Sequence, residues 1–409
     1  MLLLLSSHAA AAKTSIPTMK RAIILGAYPE SVVAFRGDLI QAVANAGHEV
    51  IVMTAPTRPN IVAEIESLRG LGQELNPAAR CRVAPGKVVF RGYPVQRNAL
   101  NPKSDWRTLR ELQRAFRELQ PDVILAYTIK PIIWGGIAAR SLPRARFVAM
   151  VTGLGYAFQG STLRRRLLNQ VVVRLYRYAL RRADTVIFQN VDNRDEFIRR
   201  RIVPANKCHT VPGSGVNLDR FRFTPLPKGP PRFLLIARLL GEKGIREYAA
   251  AAAIVKQRFP NSRFSLVGPT DPSPDGIPLK EVERWQQTGA IEYHGATDDV
   301  RPYLRDSHIY CLPSYHEGMP RTVLEAMAMG RPILTTDVCG CRETVIPGTN
   351  GWLVPSGDAN SLAERMMWFV EHREQWETMA FASRRLAEEK FDVANVNRKM
   401  LEQLNLGDG

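Results

Sequence analysis

The sequence has little of what usually identifies a protein quickly. Five cysteines, Cys81, Cys208, Cys311, Cys339 and Cys341, do not make a disulfide framework. Cys339-Gly340-Cys341 is too tight for a zinc pair and no second Cys/His pair has matching spacing, so all five read as reduced thiols of a cytosolic protein. No run approaches the roughly 20 consecutive apolar residues of a membrane-crossing helix. Internal repeats and low-complexity tracts are missing as well. The opening MLLLLSSHAAAAKTSIPTMKRAIIL has an apolar core of four leucines and no preceding basic residue, a poor signal peptide. The fold is expected to begin near Met19, with residues 1–18 an upstream start or a disordered leader.

What is present is positive charge, placed unevenly. The formal net charge is +17, and between Lys20 and Arg222 there are 33 Lys/Arg against 15 Asp/Glu. From Phe223 onward the count is 22 against 24. The first half is therefore expected to face something anionic: lipid headgroups, a phosphorylated substrate or nucleic acid. Residues 164–201 alone carry 11 arginines against 4 acids. Their arginines alternate with Leu167, Leu168, Val171, Val172, Leu175, Tyr176 and Leu180, the pattern of a basic amphipathic helix. That pattern suits either an ordinary domain helix with a solvated basic face or a surface for anionic lipid.

At 409 residues the chain suggests two domains. Short apolar runs alternate with helical patterns twice over. Ala22–Leu25, Val50–Thr54, Val123–Tyr127, Phe147–Val151 and Thr185–Gln189 read as buried strands in the first half. Phe233–Ala237, Arg263–Val267, Ala290–Tyr293, His308–Leu312 and Ile333–Thr336 do so in the second. Such alternation implies two doubly wound α/β domains, each with a parallel sheet covered on both faces, facing across a cleft. TPLPKGPP, residues 224–231, reads as the linker between a domain at 19–223 and one at 232–390, with 391–409 left for a final helix.

The chemistry concentrates in HEGMPRTVLEAMAMGRP, residues 316–332. Glu317 falls in the loop after a strand, and Pro320 suits the first position of a helix that runs to about Met329. The free N–H groups and dipole of that helix make an anion site, with Glu325 about one and a half turns inside. A phosphate between two polyols fits this spacing, and nucleotide sugars are such ligands. Arg238 and Lys243 lie in the loop after the domain's first strand, where two cations can neutralise a diphosphate. Either pair alone is also what ordinary dipole partners or surface charges look like.

Taken in order, Ala237-Arg238-Leu239, Glu242-Lys243-Gly244, Pro313 to Pro320, Leu324-Glu325-Ala326-Met327-Ala328, Gly330-Arg331-Pro332, Gly340-Cys341-Arg342-Glu343 and Asn350-Gly351 resemble the family-4 retaining glycosyltransferases. The resemblance spans nearly all of the chain from Met19. It implies a GT-B fold, a last helix near Val393–Leu404 crossing back onto the first domain, no cofactor and no catalytic metal. It also implies a nucleotide-diphosphate sugar donor, UDP-linked as a family-level expectation. By motif position Glu317 meets donor-sugar hydroxyls, Glu325 the ribose, and Arg238 and Lys243 the diphosphate, with Gly318, Met319 and Pro320 in the donor loop.

The acceptor belongs to the first half, where three stretches follow strands or open helices: Arg36-Gly37 after a loop Gly26–Phe35, Tyr127-Thr128-Ile129-Lys130-Pro131, and Thr152-Gly153-Leu154-Gly155-Tyr156. Arg36, Tyr127, Lys130, Gly153, Gly155 and Tyr156 are the acceptor-side candidates, Arg36 and Lys130 as cleft cations for a phosphate. Arg97, Asn98, Asn101-Pro102 and Asp105 supply a fourth, weaker cluster. These stretches resemble the bacterial branch that extends undecaprenyl-diphosphate-linked sugars for O-antigen, capsule or glycan assembly, which implies a lipid-linked acceptor. Peripheral attachment to the inner face of the cytoplasmic membrane follows from the same resemblance and the charge asymmetry. One departure is that His48 and His209 are the only histidines between residues 19 and 222 and neither suits a cleft, so no histidine acid or base is assigned. The alternatives are a nucleotide-sugar epimerase, a non-catalytic nucleotide-sugar-binding subunit, or a basic protein that binds nucleic acid or membrane; no recognisable nucleic-acid module is present.

Overall fold

A computed structural model describes residues 19–69, 86–96, 101–154 and 163–407. Seven parallel strands form the first sheet: β1 (Arg21–Leu25), β2 (Glu49–Thr54), β3 (Val88–Gly92), β4 (Val123–Tyr127), β5 (Arg146–Val151), β6 (Thr185–Phe188) and β7 (Cys208–Thr210). Their order is β3-β2-β1-β4-β5-β6-β7, with Ile24 level with Val52 on one side and Leu125 on the other. Six parallel strands form the second: β8 (Arg232–Ile236), β9 (Arg263–Val267), β10 (Glu292–Tyr293), β11 (Ile309–Leu312), β12 (Ile333–Thr336) and β13 (Gly351–Val354). Their order is β10-β9-β8-β11-β12-β13.

The central strands of both sheets are buried on both faces, which is why they read as apolar runs. Ile23 and Leu25 of β1 enter one core and Ala22 and Ile24 the other. Phe233 and Leu235 of β8 are separated from Leu234 and Ile236 in the same way. Strand order reverses direction between β1 and β4 and between β8 and β11. Loops after such neighbouring strands leave in opposite directions and open a crevice. The loops after β8 and β11 hold Arg238, Lys243, Glu317, Gly318, Met319 and Pro320 of the residues that the sequence marked.

The helix Val393–Leu404 closes the molecule by returning to the first sheet. Asp392 caps it, its carboxylate accepting from the Ala394 N–H at 3.0 Å. Val396, Met400 and Leu404 are buried in the same core as Val32, Leu39 and Val43. His48 shares in this closure, since its Nε2 lies 3.1 Å from the Leu406 carbonyl and its Nδ1 accepts the Lys20 N–H. The proline-rich segment at 224–231 is equally pinned. Arg331 has no exposed surface, and its guanidinium donates to the carbonyls of Thr224, Ser307 and Met329. Burial pushes its pKa down to about 10, so it stays charged at neutral pH.

Several boundaries differ from the sequence reading. The first helix is Pro29–Asn45 and takes in most of the loop expected at Gly26–Phe35, because Pro29 suits the first turn and Glu30 complements its dipole. Arg36 is consequently mid-helix rather than at a helix start. Pro320 takes the N-cap position, one residue before the helix Arg321–Ala328. No helix among the described residues is long and apolar enough to cross a membrane.

Candidate active site

The loop after β8 turns sharply through Gly241–Lys243 and enters the helix Ile245–Arg258 at Gly244. Gly244 has φ +69°, and a Cβ there would lie 1.9 Å from the Pro313 carbonyl oxygen. Only glycine lets this loop press so closely on the one after β11. The two loops are stitched together further on: the Tyr315 N–H and the Ser314 hydroxyl both donate to the Glu242 carbonyl, at 2.8 and 3.2 Å.

That contact brings Lys243 to Glu317. Nζ of Lys243 is 2.7 Å from Oε1 of Glu317, and each side chain is 15% exposed. Burial alone would push the lysine pKa down, but the Glu317 carboxylate and the adjacent Glu242 outweigh it and hold the ammonium above the ordinary lysine range. The Glu317 backbone is backed by the segment after β12, where its N–H donates to the Cys339 carbonyl at 3.2 Å. Gly340, at φ +83°, would put a Cβ 2.6 Å from the Glu317 carbonyl oxygen. The tight Cys-Gly-Cys run thus supports the Glu317 loop. Cys208, Cys311, Cys339 and Cys341 are free thiols. Among the described residues no cluster of His, Cys, Asp or Glu could hold a metal ion.

Other donor-side candidates spread around this pair. Arg238 is 44% exposed and ion-paired with Asp271, on the proline-rich loop after β9. Glu325 is 7% exposed and accepts from Arg321 Nε at 2.9 Å. Burial raises its pKa and the arginine opposes that shift. Burial lowers the pKa of His316, with Glu317 opposing the shift.

The first domain supplies the other wall. Arg36 is 3% exposed and donates through Nη1 to the Ser214 hydroxyl and the Phe35 carbonyl, each at 2.7 Å. Its guanidinium lies over the Tyr127 ring at 5.0 Å, and its Nε is buried without a hydrogen-bond partner. Burial lowers its pKa to about 10, which leaves it cationic. Arg321 of the second domain reaches toward it, 5.6 Å from the Phe35 ring. Thr128, after Tyr127, has φ +66°, a conformation that costs a threonine roughly 1–3 kcal/mol and is concentrated at functional sites.

Arg36 and Tyr127 are therefore together, but Lys130 is not the free cleft cation expected of it. Its Nζ lies 2.7 Å from Oδ1 of Asp105, and both side chains are largely buried. A lysine opening one helix and an aspartate opening its neighbour have neutralised each other. Gly153 lies at the end of β5 with open space where a Cβ would stand. Gly155 and Tyr156 lie outside the described residues.

Contacts across the cleft involve residues that sequence reasoning missed. Asn190 caps the helix Val191–Arg199 and donates through Nδ2 to the Gly318 carbonyl at 2.5 Å. Arg342 pairs with Asp192 at 3.0 Å. Met319 packs on Gly213. Ser214 and Asp271 were missed too; no local pattern marks them, whereas Arg321 was within the quoted motif.

One cationic loop, carrying Arg238 and Lys243, and the N-terminus of the helix Arg321–Ala328 thus lie in the crevice of one α/β domain, facing the other domain. The family profile described as "Glycosyl transferases group 1" matches residues 230–372, and that described as "Glycosyl transferase 4-like domain" matches residues 32–213. The chain belongs to the group 1 glycosyltransferases. The fold of this glycosyltransferase is GT-B. Anabaena Alr3699/HepE, solved in complex with UDP, superposes with a TM-score of 0.72 over 95% of this chain and 100% of its own, at 20% identity. A Campylobacter jejuni relative, N,N'-diacetylbacillosaminyl-diphospho-undecaprenol alpha-1,3-N-acetylgalactosaminyltransferase, is 28% identical over 83% of this chain and 87% of its own. An Escherichia coli relative, UDP-Gal:alpha-D-GlcNAc-diphosphoundecaprenol alpha-1,3-galactosyltransferase, is 24% identical over 64% of this chain and 70% of its own.

Proposed function

We propose that this glycosyltransferase moves a hexose or N-acetylhexosamine from a UDP-sugar to a saccharide carried on a polyprenyl diphosphate, with retention of anomeric configuration. The observation that carries the proposal is the part-buried Lys243–Glu317 pair at 2.7 Å, on the side of the second domain that faces the first. Similarity to transferases named for diphospho-undecaprenol substrates supports this acceptor class and favours transfer over epimerisation.

In this reading Lys243 and Arg238 hold the donor diphosphate, and Glu325 meets the ribose. As the bond from the anomeric carbon to the diphosphate oxygen breaks, charge grows on the leaving oxygen, and fixed cations stabilise it more than in the ground state. That oxygen takes the proton of the acceptor hydroxyl, which bonds to the anomeric carbon on the same face. No protein base is needed, in keeping with the missing cleft histidine. Glu317 orients donor-sugar hydroxyls through its free oxygen. Gly318, Met319 and Pro320 bring that loop against the first domain. Arg36, over Tyr127, faces the acceptor diphosphate, while Lys130 supports the wall through Asp105.

The basic first domain would work at the inner face of the cytoplasmic membrane, where a polyprenyl acceptor has to be met. Leu167, Val171 and Tyr178 of the helix Leu163–Leu180 are 64%, 44% and 51% exposed and alternate with arginines, which supports that placement. Sedimentation with anionic but not neutral vesicles tests it, and equal behaviour with both would contradict it. For the reaction, Glu317→Ala is the test: turnover should fall much further than donor affinity, and equal losses would contradict the role.

A further inference from the structure

We propose that the first domain carries a second anion site, suited to a phosphate-bearing group, on the rim opposite the donor cleft. The donor and acceptor loops leave the C-terminal ends of their strands. At the other end, where β5 and β6 begin, an open cavity of about 480 Å³ lies among the segments that follow the helices Ile129–Ala139 and Leu163–Leu180. That volume is within the range of small-molecule sites, about 300–1,000 Å³.

Its lining is almost all of one sign. Arg140, Arg144, Arg146, Arg181, Arg182 and Lys207 contribute to it, against one carboxylate, Asp184. Asp184 spends an oxygen on the Phe147 N–H at 2.8 Å. None of the six cations forms an ion pair with another described residue. Arg146 donates to the Gln403 carbonyl and the Thr185 hydroxyl, and Lys207 to the Ala183 carbonyl, all neutral acceptors. Arg140 stacks on Tyr178 at 4.2 Å, and its Nη1 is shielded from solvent with no hydrogen-bond partner.

Cations at helix C-termini complement the dipole, which accounts for Arg140 and Arg181. It does not account for Arg144, Arg146 or Lys207, which arrive from a loop, a strand start and a short turn. Like charges gathered from separate segments repel one another, and an anion of two or more charges relieves that repulsion while satisfying free guanidinium donors. Phosphate is the anion that such forks recognise best. Two sources carry such a group, a free phosphorylated metabolite and an anionic phospholipid headgroup. Tyr178 ends the exposed stripe begun by Leu167 and Val171, so an acyl chain would find an apolar path leading to the cavity.

The test uses the full-length protein and inorganic pyrophosphate, followed by calorimetry. Wild type should show two sites. The variant Arg144→Ala/Arg182→Ala changes exposed side chains outside the donor cleft and should keep only the cleft site, whereas Lys243→Ala should keep only the rim site. Each loss should be at least tenfold in affinity. Vesicles containing phosphatidylglycerol then separate the sources. If the rim variant releases them and pyrophosphate competes in wild type, the headgroup is the ligand. If the rim variant loses pyrophosphate but not vesicles, the ligand is a free anion. Arg144→Gln/Arg182→Gln should repeat the result with a melting temperature close to wild type. Unchanged pyrophosphate stoichiometry and affinity in both rim variants would overturn the proposal, whatever happens at the donor cleft.

Discussion

Gly318 and Thr152 meet across the cleft with no room for a side chain. A Cβ on Gly318 would stand 1.9 Å from the Thr152 carbonyl oxygen and 3.0 Å from Oε1 of Gln189. The loop carrying Glu317 thus reaches the first domain through a residue that must be small. Gly318→Ala should lower kcat at least tenfold, about 1.4 kcal/mol of barrier. The melting temperature should barely move, because separating the domains relieves the clash. Steady-state rates beside a thermal melt decide this, and a wild-type kcat would show that the contact is not needed for turnover.

Glu317→Gln keeps the shape of the carboxylate and removes its charge. The amide oxygen can still accept from Lys243, but the lysine charge loses its counter-ion, a loss that in a buried pair costs about 3–5 kcal/mol. Turnover should fall about a hundredfold, roughly 2.7 kcal/mol, while donor affinity changes less than fivefold. Lys243→Ala and Arg238→Ala should lose both affinity and rate, since leaving-group charge is present in the ground state and grows in the transition state. Activity within a few-fold of wild type in those two variants would remove them from the site.

Lys243 also sets an expectation about pH. Its pKa is raised in the folded state, against the lowering effect of burial, by Glu317 and Glu242. A raised lysine contributes stability that is whole below its unfolded value and lost only as pH rises through the folded one. The pair should therefore be constant through the neutral range. A kcat profile should show no inflection there that Lys243→Arg displaces.

The opposite sign holds for His308. Burial pushes its pKa down to about 4, with neighbouring arginines adding to the effect. Nδ1 accepts the Arg232 N–H at 3.1 Å and Nε2 lies 2.7 Å from the Pro227 carbonyl, which ties the interdomain segment to β8. A histidine held neutral contributes stability above its unfolded value, near 6.5, that is lost as pH falls toward the folded one. The melting temperature should drop between pH 6.5 and 4, and His308→Gln should flatten that drop. Equal slopes for both proteins would assign the acid sensitivity elsewhere.

Much of this was legible because burial on both faces leaves a plain signature. Apolar runs such as Ile309–Leu312 announced central strands, and the marked loops fell after β8 and β11, where the topology opens a crevice. The edges were harder. β7, Cys208–Thr210, has no apolar run and exists through pairing with β6. The helix Leu279–Gln287 buries only Val282 fully, so it carries no apolar run to announce it. Lys130 looked free because Asp105, which neutralises it, is 25 residues away on another helix. Asn190 and Gly318 are 128 positions apart, and nothing local to either announces that they touch.

Metal independence is an expectation of the sequence, where no acidic metal pair stands near the cleft. Transfer should proceed at an unchanged rate in EDTA. Complete loss that added metal restores would contradict it.

The central claim is that a donor sugar leaves its diphosphate only for a lipid-linked acceptor. The most direct measurement follows purified protein with a panel of nucleotide sugars, with and without a short polyprenyl-diphosphate saccharide. Selective binding of one nucleotide sugar, with turnover only when the lipid is present, is the predicted result. Conversion of the donor without lipid, or no nucleotide-sugar binding at all, would contradict it.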